Sequence, residues 1–346
     1  MALHAKLEAI FKSAASTSPR FALSAAYAVL DADPNVMTAG PTIKDGSTPV
    51  APDACWHIGS ISKSFTATLV MRLVDKGVLE LDIPIGTHLP RYIDKMHTDW
   101  KSATLRQLLS HTAGMPANAP RASFKTTLAF EPYEGRRKVL SEMWGEPLSG
   151  KSGKFGYSNI GYVLAGIVAE EATGKSWEDL IVTEVAEPLG LTSLGFGPPK
   201  EDNSPRGHRS FFGYKRAVEP DDPSSDNPGW MGPAGTIHLN MSELVKWGQT
   251  HIRAFRGEIP EFLTQQSCKA MQSPISKDYG LGWVLSTNDD AGPVVWHNGS
   301  NTMWYSVLTL FPEKQIAIAV ATNSYHPRRA EKLLDQIAVV LASEVN

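Results

Sequence analysis

The sequence predicts an α+β fold, in which an antiparallel sheet built from both ends of the chain is flanked by helices and carries an inserted, mainly helical domain. Two observations support this prediction. Apolar runs typical of buried strands occur near the start, at residues 21–30, and again in the last quarter, between residues 279 and 322. The stretch between them is dominated by helical periodicity. A chain of 346 residues is long enough for two packed domains.

The two ends supply the predicted sheet. A helix at residues 3–15 precedes the first strand, which ends at a turn containing Asp31 and Pro34. Near the C-terminus, turn residues separate four apolar segments that are consecutive enough to pair antiparallel. These segments are residues 279–286, 294–297, 303–311 and 315–322, and a helix at 328–345 follows them.

The middle of the chain supplies the predicted helical domain. Its strongest helix covers residues 61–76, where Phe65, Leu69 and Leu73 follow helical spacing and Gly77 provides a stop. Further helices are predicted at 104–110, 160–172, 177–186 and 241–255. Two long loops, 116–154 and 198–236, are expected to be walls or lids of a site. We therefore predict a sheet domain from residues 1–60 and 278–346, a helical domain from 61–277, and an active site in the cleft between them.

Composition excludes several classes of protein. Hydrophobic residues make up 42% of the chain and charged residues 20%, and the net charge of -3 is interspersed, as in ordinary globular proteins that do not bind nucleic acid. Cys55, Cys268 and the ten histidines show no metal-ligand spacing, so no metal and no organic cofactor are expected. No apolar run approaches about 18 residues and residues 1–11 lack a signal-peptide pattern, so we expect no membrane association and a cytoplasmic location.

A serine and a lysine stand at the start of the strongest helix. Ser60 and Lys63 are three residues apart, so they share one face of the helix, and the helix N-terminus favours negative charge that develops there. A lysine acts as a base near neutral pH only if its pKa falls well below about 10.4, which burial accomplishes. Alone, this spacing also fits a capping serine beside a solvated lysine.

Two further motifs occur in the order that serine acylation requires. Tyr157-Ser158-Asn159 precedes an apolar helix, and His297-Asn298-Gly299 ends a short strand. With residues 59–67 (GSISKSFTA), 108–115 (LLSHTAGM) and 279–283 (YGLGW), the sequence resembles the serine β-lactamase-like family over most of its length. The resemblance is to the branch with class C β-lactamases, D-alanyl-D-alanine carboxypeptidases, D-aminopeptidases and family VIII carboxylesterases.

The resemblance implies a role for each motif residue and a β-lactamase/transpeptidase-like fold. Ser60 would attack the acyl carbon, while Lys63 and Tyr157 would share the proton transfer. Asn159 would orient Lys63 and the substrate. His297, Gly299 and Ser300 would form the substrate-binding edge, where the backbone N–H groups of Ser60 and Ser300 make an oxyanion hole.

The third motif departs from the Lys-Thr-Gly of many relatives. A histidine at 297, with an ordinary pKa of about 6.5, is largely neutral above pH 7 and more so beside a cationic Lys63. We therefore expect weak anchoring of substrate carboxylates, with activity on such substrates improving toward pH 6. Strict β-lactamase activity is correspondingly less favoured.

The predicted function is a serine hydrolase that acts through an acyl-enzyme on a small ester, amide or peptide, as a carboxylesterase or a D-amino-acid-directed amidase or peptidase. One alternative is a β-lactamase or D-alanyl-D-alanine carboxypeptidase. Another is an acyltransferase that uses the same acyl-enzyme. The sequence does not indicate the acyl group, the leaving group or the oligomeric state.

Other residues near these motifs have plainer interpretations. His57 lies in an extended segment and is not expected to be a triad base, and His111 is expected to tie a loop to its domain. Residues 233–236 resemble a family loop at the cleft edge that touches substrate through its backbone. Trp304 and Tyr305 fit the wall of the cleft and the core equally well.

Overall fold

The computed structural model describes residues 2–126, 130–211, 214–289 and 291–344, and its strands form three antiparallel sheets. The strands are β1 (Leu23–Val29), β2 (Asn35–Ala39), β3 (Cys55–His57), β4 (Gly195–Phe196), β5 (His208–Phe211), β6 (Tyr214–Ala217), β7 (Ile237–Asn240), β8 (Val284–Asn288), β9 (Gly292–Gly299), β10 (Tyr305–Phe311) and β11 (Ile316–Thr322). The main sheet has the order β2-β1-β11-β10-β9-β8, so it combines strands from both ends of the chain. The smaller sheets are β3-β7-β4 and β5-β6.

Fourteen α-helices are described, and most of them lie between β3 and β8. They are α1 (Ala2–Ser16), α2 (Ser62–Asp75), α3 (Ile85–His88), α4 (Thr98–Ser102), α5 (Leu105–Leu109), α6 (Arg121–Thr126), α7 (Pro132–Ser141), α8 (Asn159–Thr173), α9 (Trp177–Ile181), α10 (Glu187–Leu189), α11 (Gly232–Gly235), α12 (Met241–Arg256), α13 (Gln265–Met271) and α14 (Pro327–Glu344). In the part of the chain that the structure describes, no helix has the length and apolar character needed to cross a membrane.

The main sheet is buried on both faces. In β11, Ile316, Ile318 and Val320 belong to a core shared with α1 and α14, whereas the alternate alanines 317, 319 and 321 belong to the larger core on the other side. Side chains alternate between the faces of a strand, so large residues on one face and small ones on the other suit two different helical layers. Helix α12 packs on the alanine face, and α14 packs on the opposite one.

The α+β prediction is confirmed, with an antiparallel sheet, flanking helices and a mainly helical insertion. The predicted long loops are wrong in part, because 116–154 contains α6 and α7, and 198–236 contains β5, β6 and α11. The strand predicted at 279–286 begins only at Val284, since residues 275–283 are bonded in tight turns. Val345 of the predicted last helix lies outside the described residues.

The division into domains at residues 60 and 277 stays a prediction. The strands of the main sheet fall within its predicted terminal ranges, and most helices fall within the inserted range. Helix α12 lies in the inserted range but packs on the sheet, so contacts between the two parts are extensive.

Candidate active site

Ser60 lies in a tight turn between a strand and a helix. Strand β3 ends at His57, a 3₁₀ turn covers Gly59–Ile61, and α2 begins at once. Gly59 has a φ of 52°, and a side chain there would meet the backbone nitrogen of Ser300 at 2.2 Å. Glycine is therefore required at this position by both conformation and space. The turn presses the backbone of Ser60 against the end of β9.

The amine of Lys63 is completely buried and bonded to oxygen atoms. Its Nζ lies 3.3 Å from Ser60 Oγ, 2.7 Å from Asn159 Oδ1 and 2.7 Å from the carbonyl oxygen of Ala234. Its side chain is 0% exposed. Among the described residues, no carboxylate contacts this amine. Burial therefore lowers the pKa of Lys63 well below its ordinary value.

The backbone segment that carries the Ala234 carbonyl is fixed by a hydrogen bond to the preceding residue, Pro233. One turn after Lys63 on α2, Thr66 Oγ1 donates to the carbonyl oxygen of Pro233 at 2.7 Å, and Trp177 Nε1 donates to the same hydroxyl at 3.1 Å. The sequence suggested that this segment touches substrate through its backbone. In the structure the Ala234 carbonyl accepts from Lys63, and the substrate contact stays a prediction.

Tyr157 and Asn159 reach the site from the start of α8. Ser158 caps this helix, with its hydroxyl accepting from the backbone N–H of Gly161 at 2.9 Å, so the residues on either side of it are fixed. Tyr157 lines the same cavity as Ser60 and interacts with it, and its ring centroid lies 4.8 Å from Lys63 Nζ. Burial of the hydroxyl raises the pKa of Tyr157, although 38% of the residue is exposed. Its hydroxyl therefore points inward and stays protonated at neutral pH.

The end of β9 brings Gly299 and Ser300 against the nucleophile turn. A side chain on Gly299 would meet the carbonyl oxygen of Ile58 at 1.9 Å and the nitrogen of Ser60 at 2.4 Å. Only glycine permits so close an approach. The backbone nitrogens of Ser60 and Ser300 thus belong to two segments in direct contact, which is the arrangement that a pair of oxyanion-hole donors requires.

His297 is buried, and both of its ring nitrogens have partners. Nε2 lies 3.1 Å from the Tyr279 hydroxyl, and Nδ1 lies 2.5 Å from the carbonyl oxygen of Asn298. Burial, with a smaller effect from the charge of Lys63, lowers the pKa of His297 to about 3. The ring is neutral throughout the physiological range, as expected. The expectation that it gains charge toward pH 6 is wrong, because sequence does not show how deeply a side chain is buried.

His111 and His57 are hydrogen-bonded to backbone segments that flank the candidate site. His111 Nδ1 accepts from the backbone N–H of Ser158 at 3.1 Å, so the imidazole ties the turn before α8 to the residues after α5. His57 is buried, and its two nitrogens are occupied by Gly59 N–H and by the carboxylate of Asp226. Neither ring is hydrogen-bonded to the Ser60 hydroxyl, which fits the structural role expected for His111 and the expectation that His57 is not a triad base.

A cavity of about 420 Å³ opens beside the Ser60 hydroxyl. Its lining residues are Ser60, Phe155, Tyr157, Lys277, Asp278, Tyr279, Val284, His297, Asn298, Gly299, Ser300, Tyr305 and Tyr325. Tyr305 lines the cavity and is also part of the core, whereas Trp304 is buried in the core and does not line this cavity. Phe155 and Tyr325 were not predicted. No sequence signal separates them from other surface aromatics.

The structure thus brings all the predicted residues together at one end of this cavity. Ser60 and Asn159 are both hydrogen-bonded to the Lys63 amine, and the Tyr157 ring packs beside that amine. Gly299 and Ser300 lie against the Ser60 turn. Within the described ranges, no set of three or more His, Cys, Asp or Glu side chains could hold a metal ion.

Comparison with known proteins agrees with this geometry. A sequence model described as Beta-lactamase matches residues 19–342. Protein flp of Staphylococcus aureus (strain MRSA252) is 26% identical over 304 residues, covering 85% of this chain and 58% of the relative, so the chain spans little more than half the length of that relative. Penicillin-binding protein 4 of Amycolatopsis lactamdurans is 26% identical over 340 residues, covering 93% of this chain and 87% of the relative.

A solved structure supports the fold. The D-stereospecific amidohydrolase from Streptomyces sp. superposes with a TM-score of 0.75 at 22% identity, covering 96% of this chain and 98% of that one. At this level of identity the likeness shows the β-lactamase/transpeptidase-like fold. The fold and the family match together define a protein of the β-lactamase fold, in a family whose members are serine hydrolases. The chain belongs to the Beta-lactamase family.

Proposed function

We propose that this protein hydrolyses small, uncharged esters or amides through an acyl-enzyme on Ser60, with Lys63 as the base. The observation that carries the proposal is the hydrogen bonding of Lys63. A neutral amine has two N–H donors and one lone pair. The oxygens of Asn159 and Ala234, both 2.7 Å away, can only accept, so they use the two N–H groups. The lone pair is left for the hydroxyl proton of Ser60.

The first half of the reaction follows from this arrangement. Ser60 Oγ attacks the acyl carbon while its proton passes to Lys63 Nζ. The oxyanion accepts hydrogen bonds from the N–H groups of Ser60 and Ser300. As the intermediate collapses, the bond to the leaving oxygen or nitrogen breaks, and the Tyr157 hydroxyl protonates that atom. The proton on Lys63 then restores the phenol.

The second half uses the same groups in reverse. Water attacks the acyl carbon and gives its proton to the Lys63–Tyr157 pair. The second tetrahedral intermediate collapses, the acid leaves, and Ser60 Oγ recovers its proton. No step requires a metal or an organic cofactor.

The cavity favours uncharged substrates. His297 carries no charge where many relatives have a lysine, and its pKa of about 3 keeps it neutral. Lys277 and Asp278 are neighbours in the chain and both line the described cavity wall, so their formal charges cancel there. The four aromatic residues Phe155, Tyr157, Tyr305 and Tyr325 instead offer apolar surface to an acyl or leaving group.

The similarity to a penicillin-binding protein favours a second candidate, a D-alanyl-D-alanine carboxypeptidase or β-lactamase. The similarity in fold to a D-stereospecific amidohydrolase supports a D-aminoacyl amide as substrate within the main proposal. An acyltransferase would show the same acyl-enzyme but would partition it to an added alcohol or amine rather than to water.

A substrate panel tests the proposal. kcat/KM should be measured for p-nitrophenyl butyrate, for D- and L-alanine p-nitroanilide and for benzylpenicillin, each with and without an added alcohol acceptor. We expect the neutral ester or an anilide to exceed the penicillin, with water as the main acceptor. Ser60→Ala should abolish all turnover, whereas the control Ser273→Ala, at an exposed hydroxyl, should not. A preference for penicillin would favour the second candidate, and retained turnover in Ser60→Ala would exclude both.

A further inference from the structure

A buried carboxylate lies behind the nucleophile turn. Asp226, in the segment before α11, has a side chain that is 6% exposed and accepts from three groups. Its Oδ2 lies 2.9 Å from His57 Nε2, and its Oδ1 lies 2.8 Å from Asn301 Nδ2 and 2.7 Å from the backbone nitrogen of Asn227. No motif in the sequence marks this aspartate, and it does not reach Ser60.

The partners of Asp226 have fixed donor directions. His57 Nδ1 accepts from the backbone N–H of Gly59 at 3.2 Å, so the imidazole carries its proton on Nε2 and donates it to Asp226. Asn301 Oδ1 accepts from the backbone N–H groups of Met303 and Trp304 at 3.2 and 3.3 Å. The amide nitrogen of Asn301 must therefore face the carboxylate.

His57 and Asn301 each contact one of the two backbone segments that carry the proposed oxyanion-hole donors. His57 is bonded to Gly59, the residue before Ser60, and Asn301 is the residue after Ser300. The two backbone segments are in contact, since a side chain on Gly299 would meet the nitrogen of Ser60 at 2.4 Å. A change in the relative position of the segments therefore changes the spacing of the two N–H donors.

We propose that Asp226 is a positioning residue that sets the spacing of the Ser60 and Ser300 N–H donors by joining His57 to Asn301. The inference rests on the function proposed above. All three groups that contact the carboxylate donate hydrogen bonds, so an anion with acceptor-only oxygens is required. An asparagine of the same shape would direct an NH₂ group at one of these donors and push that partner away.

Asp226→Asn tests the inference with almost no change of volume. Removing one oxyanion-hole donor typically costs about 10²–10³ in kcat, and we expect displacement to cost about 10–100-fold. KM should stay within about threefold, because the loss is confined to the transition state. The inhibition constant of phenylboronic acid, which forms a tetrahedral adduct on serine, should weaken by a fold similar to kcat. The control Asp221→Asn, at an exposed aspartate of the same segment, should stay within about twofold of wild type.

A second variant covers the case in which Asp226→Asn does not fold. Asn301→Asp keeps the acceptor for Met303 and Trp304 but turns a carboxylate oxygen toward Asp226, so it should show the same kcat loss with unchanged KM. In the double variant Asp226→Asn/Asn301→Asp, the new amide can donate to the new carboxylate. Its kcat should therefore be higher than that of either single variant.

The outcomes separate this inference from the proposed function. Labelling of wild type at Ser60 by a fluorophosphonate, with kcat of Asp226→Asn or Asn301→Asp within twofold of wild type, would overturn the inference alone. So would a lower melting temperature with unchanged kcat, since that result indicates a purely structural role. Absence of any Ser60 adduct in wild type would overturn the proposed function itself. Loss of kcat and of boronate affinity at constant KM supports the inference.

Discussion

Two buried basic side chains in this protein have opposite surroundings. Arg136 on α7 and Lys63 on α2 have side chains that are 0% exposed. Arg136 is bonded to the carboxylates of Glu170 and Glu178, with contacts of 3.0 Å and 2.7 Å. Lys63 is bonded to a hydroxyl, an amide oxygen and a carbonyl oxygen. Burial is the same at the two positions, and the charge of the partners differs.

The pKa values follow the partners. Burial by itself would lower the pKa of Arg136, but its hydrogen bonds and charge interactions with Glu178 and Glu170 outweigh burial and raise it. Lys63 has no such compensation, and burial lowers its pKa. Burial therefore makes a basic side chain reactive only where its neighbours are neutral hydrogen-bond acceptors. The arginine network stabilises the packing of α7 on α8 and α9, and the lysine is poised for proton transfer.

The largest expected effect is that of Lys63→Met on catalysis. Loss of a general base typically costs about 10²–10⁴ in rate, and Lys63 also relays the proton to Tyr157, so we expect a fall of about 10³–10⁴ in kcat/KM. The free energy of unfolding should change little, because the desolvation cost of the buried amine is removed together with its hydrogen bonds to Asn159 and Ala234. Stopped-flow kinetics and urea denaturation measure both quantities. A folded variant with kcat/KM within tenfold of wild type would contradict the proposed role.

Tyr157→Phe sharpens this result. It should also lose orders of magnitude in kcat/KM, and the double variant with Lys63→Met should lose less than the product of the two single losses, because the two groups act as one proton-transfer unit. A double-mutant cycle on a single ester substrate provides the comparison. Simple multiplication of the two losses would count against a shared role.

Arg136→Met should show the reverse pattern. Removing one partner of a buried ion pair typically costs about 3–5 kcal/mol. Glu170 stays buried and keeps only Arg137 and the backbone N–H of Trp177, so we expect a loss at the lower end of that range. The kcat of the protein that remains folded should stay within about threefold of wild type. The control Lys138→Met, which removes an exposed pair with Glu142 on the same helix, should change stability by less than about 0.5 kcal/mol. Equal stability losses in the two variants would undermine the comparison.

Asn159→Asp gives Lys63 the kind of partner that Arg136 already has. A carboxylate 2.7 Å from Nζ stabilises the ammonium form and raises the pKa of Lys63. Because Lys63 acts in its neutral form, kcat/KM falls at low pH as the amine becomes protonated. In Asn159→Asp this fall, the acid limb of the profile, should occur at higher pH. A shift of about one unit lowers activity near neutral pH by about tenfold.

Asn118→Asp is the matched control for that variant. Asn118 is bonded to Asn159 Nδ2 at 2.7 Å, so the same change of charge is placed one hydrogen bond farther from the amine. The acid limb should move less than it does in Asn159→Asp. An unchanged limb in Asn159→Asp would show that Lys63 does not titrate in this range.

The smallest expected effect concerns His297. With a pKa of about 3, the imidazole stays neutral between pH 5 and 9, so His297→Gln should leave the shape of the kcat/KM profile unchanged in that range. A limb near pH 6 that is present in wild type and absent in this variant would show that the ring titrates after all.

The sequence predicted the fold and most of the proposed site, for reasons visible in individual residues. Buried apolar strands and the 59–67 motif are local patterns, so β11, α2 and the Ser60–Lys63 pair could be identified. The hydrogen bonds of Asp226 to His57 and Asn301 could not be predicted, because these partners lie 169 and 75 positions away in the sequence and only the fold brings them together. The burial of His297 was likewise invisible, since it depends on Tyr279 packing over the ring.

Acid-quenched mass spectrometry tests the central claim most directly. Wild type, Lys63→Met and Ser60→Ala would be mixed with p-nitrophenyl butyrate, quenched within milliseconds and examined as intact protein and as peptides. We predict one butyryl group on the peptide containing Ser60 in wild type, much slower acylation in Lys63→Met and no adduct in Ser60→Ala. Butyryl transfer to another residue, or equally fast acylation in the presence and absence of Lys63, would contradict the account.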